Sequence, residues 1–254
     1  MTPASGPRRV AWITGASSGI GRALALRLAN RGWQVAASAR DAAALATLAA
    51  AMPAQIRIWP LDVTDAAATT AAVAAITAAL GPLDLCVFNA GTYRRDSAAS
   101  FRAGDFRALL EVNLMGVVHG LDAVLPAMLA RRHGQIAVVA SLAGLVGLPG
   151  AAAYAASKAA LIRMGEALQP ELRAAGIELS IVAPGFVDTP LTRLNDFPMP
   201  FLLSLEAAVD RIERGLERRR PLIAFPWPMV VALKLLALLP ATLRLRLTAG
   251  MVRS

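Results

Sequence analysis

Cysteine and histidine are scarce in this chain of 254 residues. The single cysteine, Cys86, excludes an internal disulfide and a metal site built from cysteines, and it suits a reducing compartment. The two histidines, His119 and His133, are too few for a typical zinc site, so we predict no metal site. Residues 1–9 contain no apolar segment of the signal-peptide type, and we therefore expect a cytoplasmic protein.

Acidic residues are missing from one part of the chain. Overall, 26 lysines and arginines outnumber 17 acidic residues and give a net charge of +9. Residues 218–254 contain no aspartate or glutamate, whereas the rest of the chain is nearly neutral. The cations of this segment are Arg218, Arg219, Arg220, Lys234, Arg244, Arg246 and Arg253. Because the segment is strongly apolar and carries no known nucleic-acid-binding motif, we expect no nucleic-acid partner.

Apolar stretches of strand length alternate with longer stretches of helical composition. Seven strands are expected, the second at 34–39, and the longest helix is expected at 105–131. Regular alternation predicts a parallel sheet with helices on both faces, and unbroken apolar strands are typical of such a sheet. The expected fold is therefore α/β, a Rossmann-like doubly wound parallel sheet of about seven strands in a single domain. Residues 1–225 would form this catalytic domain, and residues 226–254 a short C-terminal helical extension.

A glycine-rich turn, TGASSGIG, follows the first predicted strand and precedes a predicted helix. Glycines permit a tight turn and a close approach of the backbone to a pyrophosphate, and the helix N-terminus supplies free N–H groups. The residues expected to contact a dinucleotide here are Gly15, Ser17, Ser18, Gly19, Ile20 and Gly21. The same letters also match the GxSxG nucleophile elbow of hydrolases. A hydrolase needs a histidine late in the chain, and the last one here is His133. A glycine turn without a ligand is a further alternative that this motif alone leaves open.

The end of the second predicted strand bears on which nucleotide binds. A site that prefers NAD needs a carboxylate at this point to accept a hydrogen bond from the ribose 2′-hydroxyl. The strand ends in Ala39 and Arg40 instead, and a guanidinium suits the 2′-phosphate of NADP. We therefore expect NADP(H) rather than NAD(H). A longer strand would bring Asp41 to the ribose, and a solvated surface arginine is the alternative interpretation of Arg40.

Three side chains that suit proton transfer follow the fifth predicted strand. Ser141 ends that strand, and Tyr154 and Lys158 are spaced to share one face of a helix. Hydride transfer to a carbonyl leaves an alkoxide that needs a proton, and a free tyrosine is a poor acid near neutral pH. A nearby ammonium and the positive nicotinamide of NADP⁺ are expected to lower the pKa of Tyr154, while Ser141 holds the substrate oxygen. Lysine and tyrosine are rare here, with two of each, which makes a chance pairing on an ordinary amphipathic helix less attractive.

These motifs, in this order, resemble those of the short-chain dehydrogenase/reductase family, over about residues 10–192 and more faintly to 225. The glycine turn resembles the family's pyrophosphate loop, although Ser18 stands where many NADP enzymes of the family carry a base. The NADP prediction thus depends on Arg40 alone. The resemblance implies an oxidoreductase that acts on CH–OH groups with NAD(P), as a homodimer or homotetramer. It implies a catalytic set made of Asn113, Ser141, Tyr154 and Lys158.

The resemblance also assigns further contacts. It implies that Asn113 completes a water-linked proton relay with Lys158, and that Asp62 and Val63 contact adenine. Phe88 replaces the first asparagine of the family's NNAG motif, so only the last three residues of the motif match. Residues implied to bind the cofactor, besides the glycine turn and Arg40, are Asp62, Val63, Asn89, Ala90, Gly91, Tyr154, Lys158, Pro184, Gly185, Val187 and Thr189.

Two apolar segments lie on the substrate side and at the end of the chain. Residues 186–205 are interpreted as a lid that suits a lipophilic carbonyl or alcohol, with ordinary core packing as the alternative. The apolar stretch within residues 226–254 is too short to span a membrane. Their apolar bulk and acid-free cations suit peripheral contact with anionic lipid, and they could equally wrap the pocket or lie in a dimer.

The sequence therefore predicts an NADP(H)-dependent oxidoreductase with Tyr154 as general acid and base, acting on a lipophilic small molecule. The alternative is an NADP(H)-binding sensor or scaffold without turnover, which could associate with a membrane surface.

Overall fold

The computed structural model describes residues 9–194 and 197–252. Residues 1–8, in which no signal peptide was expected, lie outside this range, as do Asn195 and Asp196 of the predicted lid and the cation Arg253.

Seven parallel strands form one sheet in the order β3-β2-β1-β4-β5-β6-β7. The strands are β1 Val10–Thr14, β2 Gln34–Ser38, β3 Ile56–Ile58, β4 Leu85–Phe88, β5 Gly134–Val139, β6 Ile177–Pro184 and β7 Leu222–Phe225. The helices are α1 Gly19–Asn30, α2 Ala42–Ala51, α3 Ala66–Leu80, α4 Ala103–Leu110, α5 Gly116–Arg131, α6 Ala152–Ala174, α7 Leu205–Glu217, α8 Trp227–Leu238 and α9 Ala241–Ala249. The predicted doubly wound α/β fold is confirmed. Strand order reverses between β1 and β4, and ligands of such sheets bind in the crevice at this reversal.

The core consists of two large clusters, one on each face of the sheet, and a small third cluster beneath α8. Strand β1 contributes to both, because successive side chains of a strand point to opposite faces. Ala11 and Ile13 pack with α1, α2 and α7 on one face. Val10 and Trp12 pack with α3, α5 and α6 on the other. Both faces of the sheet are therefore covered by helices and shielded from water, which explains why the strands are apolar at nearly every position.

The long helix predicted at 105–131 is interrupted. Helix α4 begins at Ala103, a π-helical turn follows at Glu111–Met115, and α5 then continues to Arg131. Hydrophobic spacing cannot reveal a π-helical turn, since it shifts the helix face by about one residue without changing composition. The turn contains Asn113, so the departure from regular geometry falls at a predicted site residue.

Helix α5 lies close to β4 because Gly120 has no side chain. A Cβ at Gly120 would lie 2.3 Å from the ring of Phe88, which is fully buried. We expect Gly120→Ala to lower the free energy of unfolding by about 1–3 kcal/mol, since overpacking outweighs the gain in helix propensity. Chemical denaturation measures this loss. Gly104→Ala in α4 is the matched control, because its Cβ would meet nothing within 4 Å, and it should be neutral or slightly stabilising. Equal stability of the two variants would contradict the close packing.

One helical stretch of the described residues, 103–131, is long and apolar enough to cross a membrane by length and composition. It packs against α3 and α6 within the cluster on one sheet face, as the core helix of a Rossmann-like fold does.

Candidate active site

The glycine turn joins the end of β1 to the start of α1. Gly15 and Gly19 have φ values of +66° and +52°, a region that side chains with a Cβ rarely adopt. A Cβ at Gly15 would lie 2.7 Å from the Cα of Ala90, so the turn also needs glycine for close packing. Ser18 is the N-cap of α1, and its side chain makes no capping hydrogen bond. The N-terminal N–H groups of α1 are thus available to an anion, as the sequence predicted.

The side chains of Asn89 and Thr14 fix this turn through hydrogen bonds. The Asn89 amide donates to the carbonyl oxygens of Thr14 and Gly15, both at 3.1 Å. The Thr14 hydroxyl accepts from the N–H groups of Asn89 and Ala90, again at 3.1 Å each. The predicted cofactor residue Asn89 therefore uses its side chain to fix the pyrophosphate turn. Gly21 is buried behind the same turn, where a Cβ would lie 2.4 Å from the Gly15 oxygen.

The polar residues after β2 and β3 lie at the adjoining edge of the cavity. Arg40 is exposed, and its guanidinium makes no hydrogen bond with any other described residue. The Asp41 carboxylate caps α2 by accepting from the N–H of Ala44 at 2.9 Å. The N–H and hydroxyl of Thr64, together with the charge of Arg40, hold the pKa of Asp62 below its usual range. Strand β2 ends at Ser38, one residue earlier than predicted. The Arg40 guanidinium is therefore free to contact a ligand, whereas the Asp41 carboxylate is hydrogen-bonded to α2.

Ser141 and Tyr154 meet at the carboxyl end of β5. The Ser141 hydroxyl accepts from the N–H of Ala143 at 3.2 Å and lies 3.4 Å from the Pro184 oxygen. Tyr154 lies in the first turn of α6, and both residues line the same cavity. Burial raises the pKa of Tyr154, and the nearby Ser141 hydroxyl offsets this only in part.

Lys158 lies one helical turn after Tyr154 and is buried. Its ammonium donates to the Val139 oxygen at 2.9 Å and is 5.7 Å from the centre of the Tyr154 ring. Burial lowers the pKa of Lys158 to about 8. Among the chain's own groups, desolvation by burial has the largest effect on the pKa of Tyr154. The chain's own residues do not by themselves produce an acidic phenol.

Asn113 is fully buried and tied to the loop after β4. Its side-chain oxygen accepts from the N–H of Thr92 at 2.7 Å, and its amide donates to the Thr92 oxygen and the Ser157 hydroxyl. The Ser157 hydroxyl in turn donates to the backbone carbonyl oxygen of Tyr154 at 2.7 Å. A Cβ at Gly91 would lie 3.3 Å from the Asn113 side chain and 3.5 Å from the Lys158 ammonium. Asn113 therefore links the β4 loop to the helix that carries Tyr154.

The segment after β6 closes the cavity. Thr192 locks it as a compact turn, since its hydroxyl interacts with the N–H of Thr189 at 3.0 Å and donates to the Val187 oxygen. Val187 pairs with Leu203 in an isolated bridge, so the predicted lid folds back on itself. Of the lid's apolar side chains, Leu191 lines the cavity, whereas Phe201 and Leu202 are exposed.

These elements surround one cavity of about 350 Å³ at the strand-order reversal. Its size is within the range of small-molecule sites. All the predicted site residues line it except Gly21 and Asn113, which support it from behind. The predicted residues in its wall are Gly15, Ser17, Ser18, Gly19, Ile20, Arg40, Asp62, Val63, Asn89, Ala90, Gly91, Ser141, Tyr154, Lys158, Pro184, Gly185, Val187 and Thr189. The glycine-rich turn, the uncapped N-terminus of α1 and the exposed Arg40 guanidinium fit a dinucleotide. Among the described residues, no group of three or more His, Cys, Asp or Glu could hold a metal ion.

Sequence reasoning missed two contributors in the loop after β4. Tyr93 packs edge-on against Tyr154 with ring centres 5.2 Å apart. Asp96 accepts from the N–H groups of Ala152 and Ala153 at 2.8 and 2.7 Å, and so caps α6. The scarcity of tyrosine could have drawn attention to Tyr93, whereas no local pattern marks Asp96.

The cap supplied by Asp96 positions the helix that carries Tyr154. We expect Asp96→Ala to lower kcat by roughly ten- to a hundredfold, because small displacements of a reacting group are costly. Its loss of stability should be about 1 kcal/mol. Asp65→Ala is the matched control, since Asp65 caps α3 by accepting from Ala68 at 2.8 Å and lies outside the cavity wall. Steady-state kinetics and thermal unfolding of both variants check this; equal turnover in the two would refute the positioning role.

Comparison with known proteins agrees with this geometry. The sequence model described as short chain dehydrogenase matches residues 9–196. An uncharacterized oxidoreductase of Myxococcus xanthus is 42% identical over 235 residues, covering 91% of this chain and 93% of its own. The 3-oxoacyl-[acyl-carrier-protein] reductase FabG of Escherichia coli is 37% identical over 185 residues, covering 73% of this chain and 76% of its own.

Solved structures agree in turn. A short-chain dehydrogenase from Streptomyces avermitilis superposes with a TM-score of 0.84 at 27% identity, covering 97% of this chain and all of its own. A short-chain dehydrogenase/reductase from Burkholderia phymatum, solved in complex with NAD, has a TM-score of 0.83 at 29% identity, covering 90% and 92%. The chain thus belongs to the short-chain dehydrogenase/reductase family, whose oxidoreductases act on CH–OH or carbonyl groups of small molecules with a nicotinamide dinucleotide.

Proposed function

We propose that this chain is an NADP(H)-dependent oxidoreductase that interconverts a carbonyl and a secondary alcohol on a lipophilic small molecule, with Tyr154 as general acid and base. The observation that carries the proposal is that Ser141, Tyr154 and Lys158 line the wall of one cavity, with the Lys158 ammonium 5.7 Å from the centre of the Tyr154 ring. Pure binding of a dinucleotide does not require this trio.

Each side chain has a separate task in the proposal. The nicotinamide, when bound, supplies or takes the hydride. Tyr154 gives a proton to the substrate oxygen during reduction and takes one during oxidation, while Ser141 holds that oxygen by a hydrogen bond. Lys158 has three N–H donors, of which one contacts Val139, so two can bind ribose hydroxyls. Its positive charge, beside that of an oxidised nicotinamide, would offset the desolvation that raises the pKa of Tyr154.

The preference for NADP(H) is supported by the cavity edge after β2. Arg40 is available for a 2′-phosphate, and the carboxylate that follows it in the chain, Asp41, already caps α2 and is a poor partner for a ribose hydroxyl. The Burkholderia phymatum structure contains NAD, so members of the family with similar folds use the other nucleotide. The choice for this chain depends on the charge of Arg40.

The lipophilic substrate is supported by the lid and by a relative. Leu191 lines the cavity. Phe201 and Leu202 lie further along the same lid segment and are exposed. The FabG relatives are named as reductases of a 3-oxoacyl group, a ketone on an acyl chain. A ketone within an apolar skeleton is therefore the class of substrate to test first. The buried thiol of Cys86, whose pKa burial raises, suits a cytoplasmic protein as well.

A panel of lipophilic ketones and NADPH tests the proposal. Consumption of NADPH followed at 340 nm, a property of the reduced nicotinamide, should depend on the ketone and yield the matching alcohol. Tight NADPH binding without turnover across a broad panel would instead favour the alternative, a nucleotide sensor or scaffold.

A further inference from the structure

The last two helices expose a large share of the molecule's apolar surface. Nine of the fourteen exposed large apolar side chains among the described residues lie within 227–252. They are Trp227, Val231, Leu235, Leu238, Leu243, Leu245, Leu247, Met251 and Val252. Clusters of this kind mark interaction surfaces, whereas single exposed apolar residues are ordinary. We call these nine residues the C-terminal apolar patch.

Helix α8 is anchored to the domain by one face. Leu233 is buried against Leu142 and Ala183, with Met229 and Leu236 packed beside it. This contact fixes the orientation of α8, so its other face cannot turn inward. The α8 part of the patch is therefore a fixed surface of the folded domain.

The opposite face of α8 is equally apolar but uncovered. Trp227, Val231, Leu235 and Leu238 recur at helical spacing, and their exposed fractions are 74%, 46%, 59% and 81%. A helix that is apolar on all sides is normally buried on all sides. Here half of it faces solvent, so a partner that accepts apolar side chains is needed.

The positive charges around the C-terminal apolar patch indicate which kind of partner it binds. Lys234 is exposed next to Leu235, and Arg244 and Arg246 alternate with the leucines of α9. Residues 218–254 contain no carboxylate side chain. A symmetric contact between two copies would place the same cations against each other without a compensating acid. An anionic bilayer accepts both the apolar side chains and the cations.

We propose that α8 and α9 dock this protein on the surface of an anionic phospholipid bilayer. Helix α8 has 12 residues and is about 18 Å long, too short for the hydrocarbon core of about 30 Å, so it lies on the surface and does not span it. Its anchored face touches Leu142, the neighbour of Ser141, and Met229 lies beside Gly185 in the cavity wall. Docking therefore brings the bilayer beside the active site. Binding to lipid does not depend on turnover, so it can be tested separately.

Flotation of the purified full-length chain with vesicles tests the docking. The wild type should float with phosphatidylcholine vesicles that contain phosphatidylglycerol. Leu235→Gln combined with Leu238→Gln should weaken this binding by roughly tenfold or more, because two exposed leucines no longer enter the bilayer. Leu129→Gln is the control, since Leu129 is an exposed leucine of α5 outside the patch, and it should bind like the wild type. Equal thermal unfolding of the variants shows that each is folded.

A second double variant tests the contribution of the positive charges to lipid binding. Lys234→Gln combined with Arg246→Gln should weaken binding to the anionic vesicles by roughly thirtyfold and leave the weak binding to pure phosphatidylcholine unchanged. The proposal is wrong if the wild type stays with the soluble fraction, or if the leucine variant floats as well as the control. It is also wrong if size-exclusion chromatography shows that the leucine variant splits a dimer and no chain floats, because a second copy then covers the patch.

Discussion

Replacing Tyr154 by phenylalanine is expected to lower kcat by about 10²–10⁴-fold, the range in which a positioned general acid contributes. The ring stays in place, so its edge-on contact with Tyr93 is retained and only the hydroxyl is lost. Without it, the developing alkoxide has Ser141 as a hydrogen-bond partner but no group that delivers a proton. The loss corresponds to about 3–5 kcal/mol of transition-state stabilisation.

Cofactor affinity separates this loss from misfolding. NADPH binding, followed by titration of its fluorescence, should remain nearly unchanged in Tyr154→Phe. The glycine turn and Arg40 lie on other elements, and the phenylalanine ring fills the same volume. Turnover at the wild-type rate with intact binding would show that another group handles the proton.

Reversing the charge of Arg40 is expected to change the choice of nucleotide. Arg40→Asp should weaken NADPH binding by roughly a hundredfold or more, because it removes a charge-assisted hydrogen bond and adds repulsion of the 2′-phosphate. NADH affinity should fall little or improve, since the new carboxylate can accept from the ribose hydroxyl. Dissociation constants of wild type and variant for both nucleotides give the ratio directly.

Arg57→Asp controls for a general change of charge. Arg57 is exposed on β3, the strand beside β2, and lies outside the cavity wall. Its replacement changes the net charge by the same amount and should affect the two nucleotides almost equally. A parallel loss of NADPH and NADH affinity in Arg40→Asp would mean that Arg40 does not contact the 2′-phosphate.

The parts of the fold that depend on local pattern were predictable. The apolar runs, the glycine turn and the four-residue spacing of Tyr154 and Lys158 each encode one element or one helix face. The prediction of β2 was wrong by one residue, because Ala39 is as apolar as the strand before it.

The features that sequence reasoning missed depend on distant contacts. Asp96 caps a helix that begins 56 positions later, and no spacing rule links the two. The π-helical turn around Asn113 leaves hydrophobic periodicity almost intact. Burial raises the pKa of Tyr154, because desolvation depends on everything packed around the phenol. Pairing of residues could be inferred from sequence, whereas their solvation could not.

A crystal structure of the chain grown with NADP⁺ would show where the dinucleotide lies relative to Tyr154. We expect pyrophosphate density at the N-terminus of α1, the 2′-phosphate on Arg40, and the nicotinamide end beside Tyr154 and Ser141. A dinucleotide whose nicotinamide lies away from that hydroxyl pair, or binding outside the crevice at the strand-order reversal, would contradict this expectation.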